Sequence, residues 1–373
     1  MQLASAGQPG VFAVWRRSLP PVSAAQHLFY YPMKIELIRQ RLRALGARPL
    51  HEQRVLRDWV RLQPHDQGRR RAVDFLPKSV RDALPALDAE LHAMAQLIST
   101  HPSDDGSARL LVGLADGQAV ETVLLPRDGV CVSSQVGCAV GCQFCMTGRD
   151  GLIRQVSSGE IVAQVVLARS MRLVKKVVFM GMGEPAHNLE NVMEAIGLLG
   201  LEGDIGHKNL VFSTVGDVRA FERLAAGPVK PALALSLHTT KPGLRDVLLP
   251  RAPRLAPREL VEHGERYARL SGYPVQYQWT LLEGVNDGAD EMDGIVELLK
   301  GKHAVLNLIP YNTIPDLAFK RPSWERARAL AAALHGRGVL TKLRDSAGQD
   351  VDGGCGQLRA RAADLHSIRI HRA

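Results

Sequence analysis

The sequence predicts an α/β fold: six strands alternating with helices in an incomplete (β/α)6 barrel, preceded by a small helical domain. From about residue 130, short apolar runs alternate with helical segments, the order that gives parallel strands. Polar side chains suited to chemistry stand at the carboxyl ends of several of these runs, and a barrel gathers such ends at one mouth. Six strands leave the barrel open to a large substrate.

Composition divides the chain into five predicted segments. Residues 1–32 carry Arg16 and Arg17 but no acid, and they are rich in Pro, Ser and Ala. This composition is typical of disorder or of an untranslated extension with Met33 as the initiator, and a transit peptide is the alternative. The other predicted segments are a basic helical domain at 33–105, a linking hairpin at 106–128, the core barrel at 129–346, and a C-terminal loop with a basic tail at 347–373.

The helical domain is predicted from apolar positions at helical spacing in residues 34–60, which Gly46 and Pro49 divide into two helices. Another helix begins behind Pro77. Between Lys34 and Arg81 there are 13 Lys and Arg residues against 5 Asp and Glu, a local charge of +8 in a chain of +9. Such a patch indicates a nucleic-acid partner, because cations that neutralise phosphates release counterions. A solvated helical face is the alternative.

Residues 108–126 predict a hairpin that turns at Asp116-Gly117. The six strands are predicted in VCVSSQ, KKVVFMGM, NLVFST, PALALSLH, VQYQWTLL and AVLNLIP. Runs as apolar as VVFM and ALAL indicate strands that are buried on both faces. Charged residues interrupt every apolar run before the roughly 20 residues of a membrane span, so we expect a protein without a membrane segment.

Three of the five cysteines, Cys138, Cys142 and Cys145, form a C-x3-C-x2-C run with no fourth cysteine nearby. A structural zinc site uses four protein ligands, whereas a 4Fe-4S cluster held by three cysteines leaves one iron open to another ligand. The alternative is a Cys3His zinc site completed by a distant histidine such as His187 or His207. An odd cysteine count with three clustered predicts metal or redox chemistry in a reducing compartment, and we expect a cytoplasmic protein.

The C-x3-C-x2-C run after the first barrel strand resembles the radical S-adenosylmethionine (SAM) superfamily, and GMGEP (181–185) resembles its glycine-and-acid element. With CVSSQVGCAVGCQFC (131–145), SLH, LIPYN and CGQL, in order over roughly residues 120–360, the chain closely resembles the RlmN/Cfr family of radical SAM RNA methyltransferases. That resemblance implies a partial TIM-type barrel and methylation of an sp2 ring carbon of adenine. Carbon 2 is the favoured position over carbon 8. The expected substrate is 23S rRNA, and tRNA is a second candidate substrate.

The resemblance also implies the cofactors and their binding residues. A 4Fe-4S cluster is expected on Cys138, Cys142 and Cys145. S-adenosyl-L-methionine is expected to bind the open iron. By the same resemblance, the SAM site is lined by Gly183, Glu184, Ser213, Ser236, Leu237, His238 and Asn312.

The resemblance assigns the reaction to three further residues. Cys355 takes a methyl group from one SAM molecule, and a radical generated from a second SAM abstracts hydrogen from that S-methyl group. The methylene radical adds to the adenine ring, Glu121 removes the ring proton as the base, and Cys131 attacks Cys355 to release the product. The transient Cys131–Cys355 disulfide is then reduced, and the cluster takes electrons from a flavodoxin-type donor.

Two other functions would explain some of these sequence features but not all of them. A radical SAM enzyme that acts on a protein needs the cluster but has no use for Cys131, Cys355 or the basic module. A non-enzymatic iron-sulfur or zinc RNA-binding protein needs the basic module and the three clustered cysteines but no cofactor cleavage.

Overall fold

The computed structural model describes residues 33–67, 71–315 and 317–360. These residues belong to a compact unit that spans Pro32–Ala373. The predicted extension 1–32 and most of the basic tail, 361–373, lie outside the described residues. Within the described ranges, none of the helices has the length and apolar composition to cross a membrane.

Four helices open the described chain: α1 (Ile35–Ala44), α2 (Pro49–Arg61), α3 (Ala72–Phe75) and α4 (Lys78–Ala93). The predicted break between the first two is present, since Gly46 takes a left-handed φ of 82° and Pro49 stands at the start of α2. α4 begins directly behind Pro77, as the sequence predicts, and continues through Pro85.

Much of the positive charge on these helices is paired. Seven of the 13 Lys and Arg side chains between residues 34 and 81 form ion pairs within the described part of the chain. Some partners come from outside this segment: Arg41 pairs with Glu90 at 2.5 Å and Arg57 with Glu202 at 2.7 Å. The free positive charge is therefore smaller than the sequence count of +8 indicates.

Three antiparallel strands follow: β1 (Gln96–Pro102), β2 (Ala108–Gly113) and β3 (Ala119–Leu125). The predicted hairpin joins β2 to β3, with Gly117 at a φ of 86°. The sequence prediction assigns residues 96–102 to the helical domain, whereas the structure forms β1 there. This strand, QLISTHP, lies at an edge of the sheet, half exposed and without an apolar alternation, so pairing with β2 decides its conformation.

All six predicted barrel strands are present. They are β4 (Gly129–Cys131), β7 (Lys176–Phe179), β8 (Leu210–Thr214), β9 (Ala232–Ser236), β10 (Val275–Leu281) and β11 (Ala304–Pro310); β5 (Gln135–Gly137) and β6 (Leu152–Gln155) form a separate ladder. The run VCVSSQ therefore divides between β4 and β5. A seventh parallel strand, β12 (Thr341–Leu343), was not predicted, because three residues give no pattern.

The ten strands of the main sheet have the order β1-β2-β3-β4-β7-β8-β9-β10-β11-β12, and every pair from β4 onward is parallel. The edges of the sheet are β1 and β12, so the barrel is incomplete, and the predicted α/β fold class is confirmed. The sheet curls so that its distant strands approach each other. Four strands separate β7 from β12, yet the positive charges of Lys342 on β12 and of Arg344 just after it act on Lys176 of β7. Burial lowers the pKa of Lys176, and these two charges lower it further.

Seven helices accompany the parallel strands: α5 (Ser158–Met171), α6 (Leu189–Leu201), α7 (Val218–Ala226), α8 (Pro242–Leu248), α9 (Pro257–Ser271), α10 (Ala289–Leu299) and α11 (Trp324–Gly336). A capping box starts α5, because the Ser157 hydroxyl accepts the Glu160 N–H and the Glu160 carboxylate accepts the Ser157 N–H. Helices α2 and α4 pack on α5. The N-terminal helices therefore share one hydrophobic core with the sheet.

His65, in the loop after α2, joins two of the N-terminal helices. Its Nδ1 lies 3.1 Å from Asp58 Oδ2 on α2, and its Nε2 lies 3.2 Å from Asp88 Oδ1 on α4. Burial lowers the pKa of the imidazole, but the hydrogen bonds to Asp58 and Asp88 outweigh burial and raise that pKa to about 9. The charged imidazolium therefore links α2 to α4 at neutral pH.

This clamp predicts a pH-dependent stability. Because the folded pKa of His65 lies above its ordinary value, the stabilisation is fully present below pH 6.5 and is lost as the pH rises through 9. We expect the stability difference between the wild type and His65→Gln to reach roughly 1–2 kcal/mol at low pH, allowing for solvent screening, and to vanish at high pH. Thermal melts between about pH 6 and 10 measure it, and a difference independent of pH contradicts the prediction.

Candidate active site

The three clustered cysteines lie in a tight loop between β5 and β6. The loop closes where the Cys138 N–H donates to the Gly151 carbonyl at 2.9 Å. Further in, the chain crosses itself so closely that a Cβ on Gly148 would lie 2.8 Å from the Cα of Gly141, which itself takes a left-handed φ of 68°. The loop therefore needs glycine at both positions.

The three thiols lie in one small region, where Cys138 is buried and Cys142 and Cys145 are half-buried. Burial raises the pKa of Cys138 to about 12 and also raises the pKa values of Cys142 and Cys145. The negative charges of Cys145 and Cys138 raise the pKa of Cys142 further, which shows that the sulphurs are close enough to repel as thiolates. Each remains a neutral thiol unless a metal replaces its proton. This donor set fits a 4Fe-4S cluster bound through three cysteines.

The zinc alternative finds no support among the described residues. No three His, Cys, Asp or Glu side chains in this part of the chain are grouped so that they could hold a single metal ion. His207 stands in a short 3-10 helix before β8, at the opposite end of the strand from the mouth, where its Nδ1 accepts the Lys230 N–H at 3.4 Å. A cluster of four irons spreads its thiolates more widely than one zinc ion does.

Glu184 joins the ends of two neighbouring strands. Its two carboxylate oxygens accept the backbone N–H groups of Ala186 and Val215, each at 3.0 Å, so it connects the loops after β7 and β8. Burial raises the pKa of Glu184, and the Thr214 hydroxyl partly opposes this rise. Gly183 before it takes a φ of 103°, and a Cβ there would lie 2.5 Å from the Gln135 side chain. The position therefore allows only glycine.

The SLH motif at the end of β9 contacts the cysteine loop through His238. The imidazole packs edge-on against Phe144, with ring centroids 4.8 Å apart. Its Nδ1 accepts the Thr280 N–H at 3.0 Å, and burial together with the charge of Arg245 lowers its pKa to about 3. His238 is therefore neutral, and its backbone takes a left-handed φ of 61°.

The remaining predicted cofactor residues differ in what they offer a ligand. Ser213 and Ser236, at the carboxyl ends of β8 and β9, are half-buried. Leu237 is fully buried, its N–H donates to the Gln278 carbonyl at 3.0 Å, and its carbonyl accepts from Arg245 at 2.8 Å. The Leu237 side chain and both of its backbone groups are thus engaged within the protein.

Asn312 lies after β11, and its side chain contacts the loop that carries Cys355. Its Nδ2 donates to the Cys355 carbonyl and to the Ser346 hydroxyl, both at 2.9 Å. From the other side, the Met146 N–H in the cysteine loop donates to the Gly356 carbonyl at 2.7 Å. The C-terminal loop therefore lies between the end of β11 and the cysteine loop.

The structure brings Cys131, Cys355 and Glu121 to this same region. Burial raises the pKa of Cys131 to about 12, and the nearby charge of Cys355 adds to the rise. Cys355 itself is exposed. Glu121, only 2% exposed, accepts the Arg359 N–H at 2.6 Å and also pairs with the Arg109 guanidinium. The base predicted from the resemblance thus contacts the segment that carries the predicted methyl acceptor.

Two arginines of the site are absent from the sequence prediction. Arg109 on β2 pairs with Glu121, and its Nε donates to the Val351 carbonyl at 2.6 Å. Arg245 on α8 is buried and bonds to strand-end carbonyls. A lone arginine in a strand or a helix carries no motif, so no sequence signal identifies either residue as part of a site.

Three comparisons bear on the identity of the chain. Residues 132–299 match the family model described as the radical SAM superfamily. A probable RNA methyltransferase of Leptothrix cholodnii is 73% identical over 91% of this chain and 97% of its own length. A second probable RNA methyltransferase, of Methylibium petroleiphilum, is 73% identical over 88% of this chain and 94% of its own.

A solved structure agrees with these relatives. The radical SAM methyltransferase of Sphaerobacter thermophilus is 35% identical, with a TM-score of 0.75, and covers 88% of this chain and 98% of its own. The cofactors of the superfamily are a 4Fe-4S cluster and S-adenosylmethionine, and the three neighbouring thiols fit that cluster. The chain therefore belongs to the radical SAM superfamily and to the family of these relatives, which are named probable RNA methyltransferases.

Proposed function

We propose that this protein is a radical SAM methyltransferase of the RlmN/Cfr type that methylates a ring carbon of adenosine in RNA. Carbon 2 is favoured over carbon 8, and 23S rRNA is the first candidate substrate, with tRNA the second. The names of the relatives support RNA as the substrate class. The order of CVSSQVGCAVGCQFC, GMGEP, SLH, LIPYN and CGQL along the chain supports the RlmN/Cfr type.

One observation carries this proposal: two cysteines that the cluster does not use lie together beside a buried carboxylate. Cys355 is exposed, Cys131 is buried within electrostatic reach of it, and the Glu121 carboxylate accepts a hydrogen bond from Arg359, four residues beyond Cys355. A radical SAM enzyme acting on protein has no need of this trio. The trio matches a reaction that needs a methyl carrier, a resolving thiol and a base.

The residues would act in sequence. The Cys355 sulphur attacks the methyl carbon of SAM and releases S-adenosylhomocysteine, and with the loss of its own proton it becomes a thioether. The cluster and a second SAM, when bound, supply one-electron chemistry at that S-methyl group. Glu121 accepts the proton from the ring carbon that has gained the methylene bridge, and the ring gives up its unpaired electron to the one-electron chemistry that the cluster would supply. Cys131 then attacks the Cys355 sulphur, which breaks the bond between that sulphur and the methylene carbon. The released carbon takes up a proton and becomes the methyl group, and two electrons reduce the disulfide that remains.

We propose that Glu121 gives up one contact when it serves as this base. Its Oε2 accepts the Arg359 N–H at 2.6 Å, and the Thr147 hydroxyl donates to the Leu358 carbonyl, also at 2.6 Å. Both bonds hold the chain just after Cys355. We therefore expect residues 357–359 to shift when RNA enters. The same shift frees Glu121 and moves Cys355.

The proposal extends to location and partners. A transient disulfide that is reduced in each turnover suits the cytoplasm. The electron donor is proposed to be of the flavodoxin type. The helices α1, α2 and α4 are proposed to contact the RNA backbone through those basic side chains that are free of ion pairs.

Mass mapping of methylated adenosines tests the function as a whole. RNA from cells with and without this protein is digested, and the expected result is one or more 2-methyladenosine positions that depend on the protein. Re-expression of the wild type restores them, and re-expression of a Cys355→Ala protein serves as the control. An unchanged RNA methylation map, with the protein folded and carrying iron, would falsify the proposed function.

Substitution of Cys355 and substitution of Cys131 are expected to stop the reaction at different steps. We expect Cys355→Ala to take no methyl label from SAM and to form no methylated RNA, because the carrier sulphur is missing. We expect Cys131→Ala to accept the methyl group and then accumulate a covalent RNA–protein adduct, because nothing resolves the bond to Cys355. Mass spectrometry of the protein and a denaturing gel measure the two outcomes. Methylation by Cys355→Ala, or release of free product by Cys131→Ala, contradicts the assigned roles.

We expect replacement of Glu121 to block the formation of methylated RNA but not the methylation of Cys355. Glu121→Gln keeps the shape of the side chain but cannot take up the proton, so we expect full methylation of Cys355 and a drop in RNA product of roughly 10²- to 10⁴-fold. Protein methylation and RNA methylation are measured on the same sample, and the first is the control for folding and cofactor binding. RNA product near the wild-type level, with methylated Cys355 present, excludes Glu121 as the base.

A further inference from the structure

Arg245 is a buried cation with an unusual set of partners. Only 3% of the residue is exposed, and its guanidinium donates hydrogen bonds to three backbone carbonyls: Ser236 and Leu237, each at 2.8 Å, and Val215. These carbonyls lie at the ends of β8 and β9, where the predicted cofactor residues cluster. None of these bonded partners carries a negative charge.

One donor of this guanidinium is left over. The Nε of Arg245 is buried and has no hydrogen-bond partner among the described residues. A buried donor without a partner and a buried charge without a bonded counter-ion each destabilise a fold. The arrangement therefore indicates an anionic acceptor that is part of the loaded protein.

The cysteine loop is the neighbour that could supply this acceptor. α8, which carries Arg245, is tied to that loop: the Gln143 N–H donates to the Leu248 carbonyl at 3.0 Å, and the Arg251 N–H donates to the Val140 carbonyl at 3.2 Å. Burial lowers the pKa of Arg245 to about 10, and three negative charges act in the opposite direction: that of Cys142 most, then those of Asp246 and Glu184. The guanidinium thus lies within electrostatic reach of a cluster ligand.

We propose that Arg245 is a positioning residue for the 4Fe-4S cluster, its fixed positive charge lying beside the Cys142 thiolate with the Nε–H available to a cluster sulphur. One electron from a low-potential donor makes the site one unit more negative, and a fixed neighbouring cation stabilises that added charge in a low-dielectric interior. Arg245 therefore raises the reduction potential of the cluster.

The proposal separates the charge of Arg245 from its role in the fold. Its three carbonyl bonds also hold the ends of β8 and β9, so its loss affects packing as well as charge. Arg172 provides a matched control. Its guanidinium donates to the carbonyls of Gly106, Leu125 and Gly129, and its Nε is buried without a partner, but it lies at the amino end of β4, away from the cysteine loop.

The test is a potentiometric titration of the anaerobically reconstituted full chain, followed by electron paramagnetic resonance, without RNA. We expect Arg245→Gln to lower the ratio of reduced to oxidised cluster at a given potential at least tenfold, which corresponds to a midpoint about 59 mV lower. Arg245→Lys, which keeps the charge, is expected to stay closer to the wild type than the glutamine variant does. Arg172→Gln is expected to keep the wild-type midpoint.

Each outcome decides for or against the proposal. Arg245→Gln with full iron content and an unchanged midpoint overturns it, and so does Arg245→Lys with the same loss as the glutamine variant, because the charge then has no effect. If Arg245→Gln does not retain iron, Arg245→Lys decides: iron retained with a near wild-type midpoint supports the charge, and iron lost again overturns it. RNA is absent from these measurements, so they stand apart from the test of the proposed function.

Discussion

Holding three thiols side by side, one buried and two half-buried, is the constraint around which the site of this protein is built. Each must lose its proton to bind iron, yet burial and the neighbouring sulphurs both oppose that loss, as the raised pKa values of Cys138, Cys142 and Cys145 show. Without metal, the loop therefore holds neutral thiols. The glycines at 141 and 148, whose crossing admits no side chain, hold the loop on the path that brings the three thiols together.

The C-terminal segment depends on the same loop. It is held from three directions, by Asn312 after β11, by Met146 in the cysteine loop, and by Arg109 and Glu121 in the antiparallel strands. Its thiol, Cys355, therefore stays near the cluster although it is exposed. The contrast with Cys131 suits the proposed reaction. A thiol whose pKa is raised to about 12 does not compete for the methyl group, and methylation of Cys355 then removes the charge that adds to this rise, which favours the later attack by Cys131.

The sequence predicts the parallel strands, the paired helices and the three clustered cysteines because each leaves a local pattern. Gly46 and Pro49 punctuate the helices, and the barrel strands are apolar runs between helical segments. The features that the sequence does not predict depend on contacts with residues far away in the chain. β1 is formed by pairing with β2, β12 has three residues, and Arg109 and Arg245 are single charges whose contacts come from elsewhere in the chain. The roles of Cys131, Cys355 and Glu121 rest on the family resemblance, since spacing gives no sign that three positions so far apart in sequence will meet.

The ion pairs of the N-terminal helices change how RNA affinity should arise. A phosphate that replaced Glu90 at Arg41 would exchange one exposed ion pair for another, with little net gain. Lys34 and Arg48 are exposed and form no ion pair with the described residues, so a phosphate there gains the full counterion-release term. Net charge therefore overstates the affinity these helices can supply. If the target base meets Cys355 as proposed, contacts at the barrel mouth supply the balance, and such contacts favour the correct RNA over bulk polyanion.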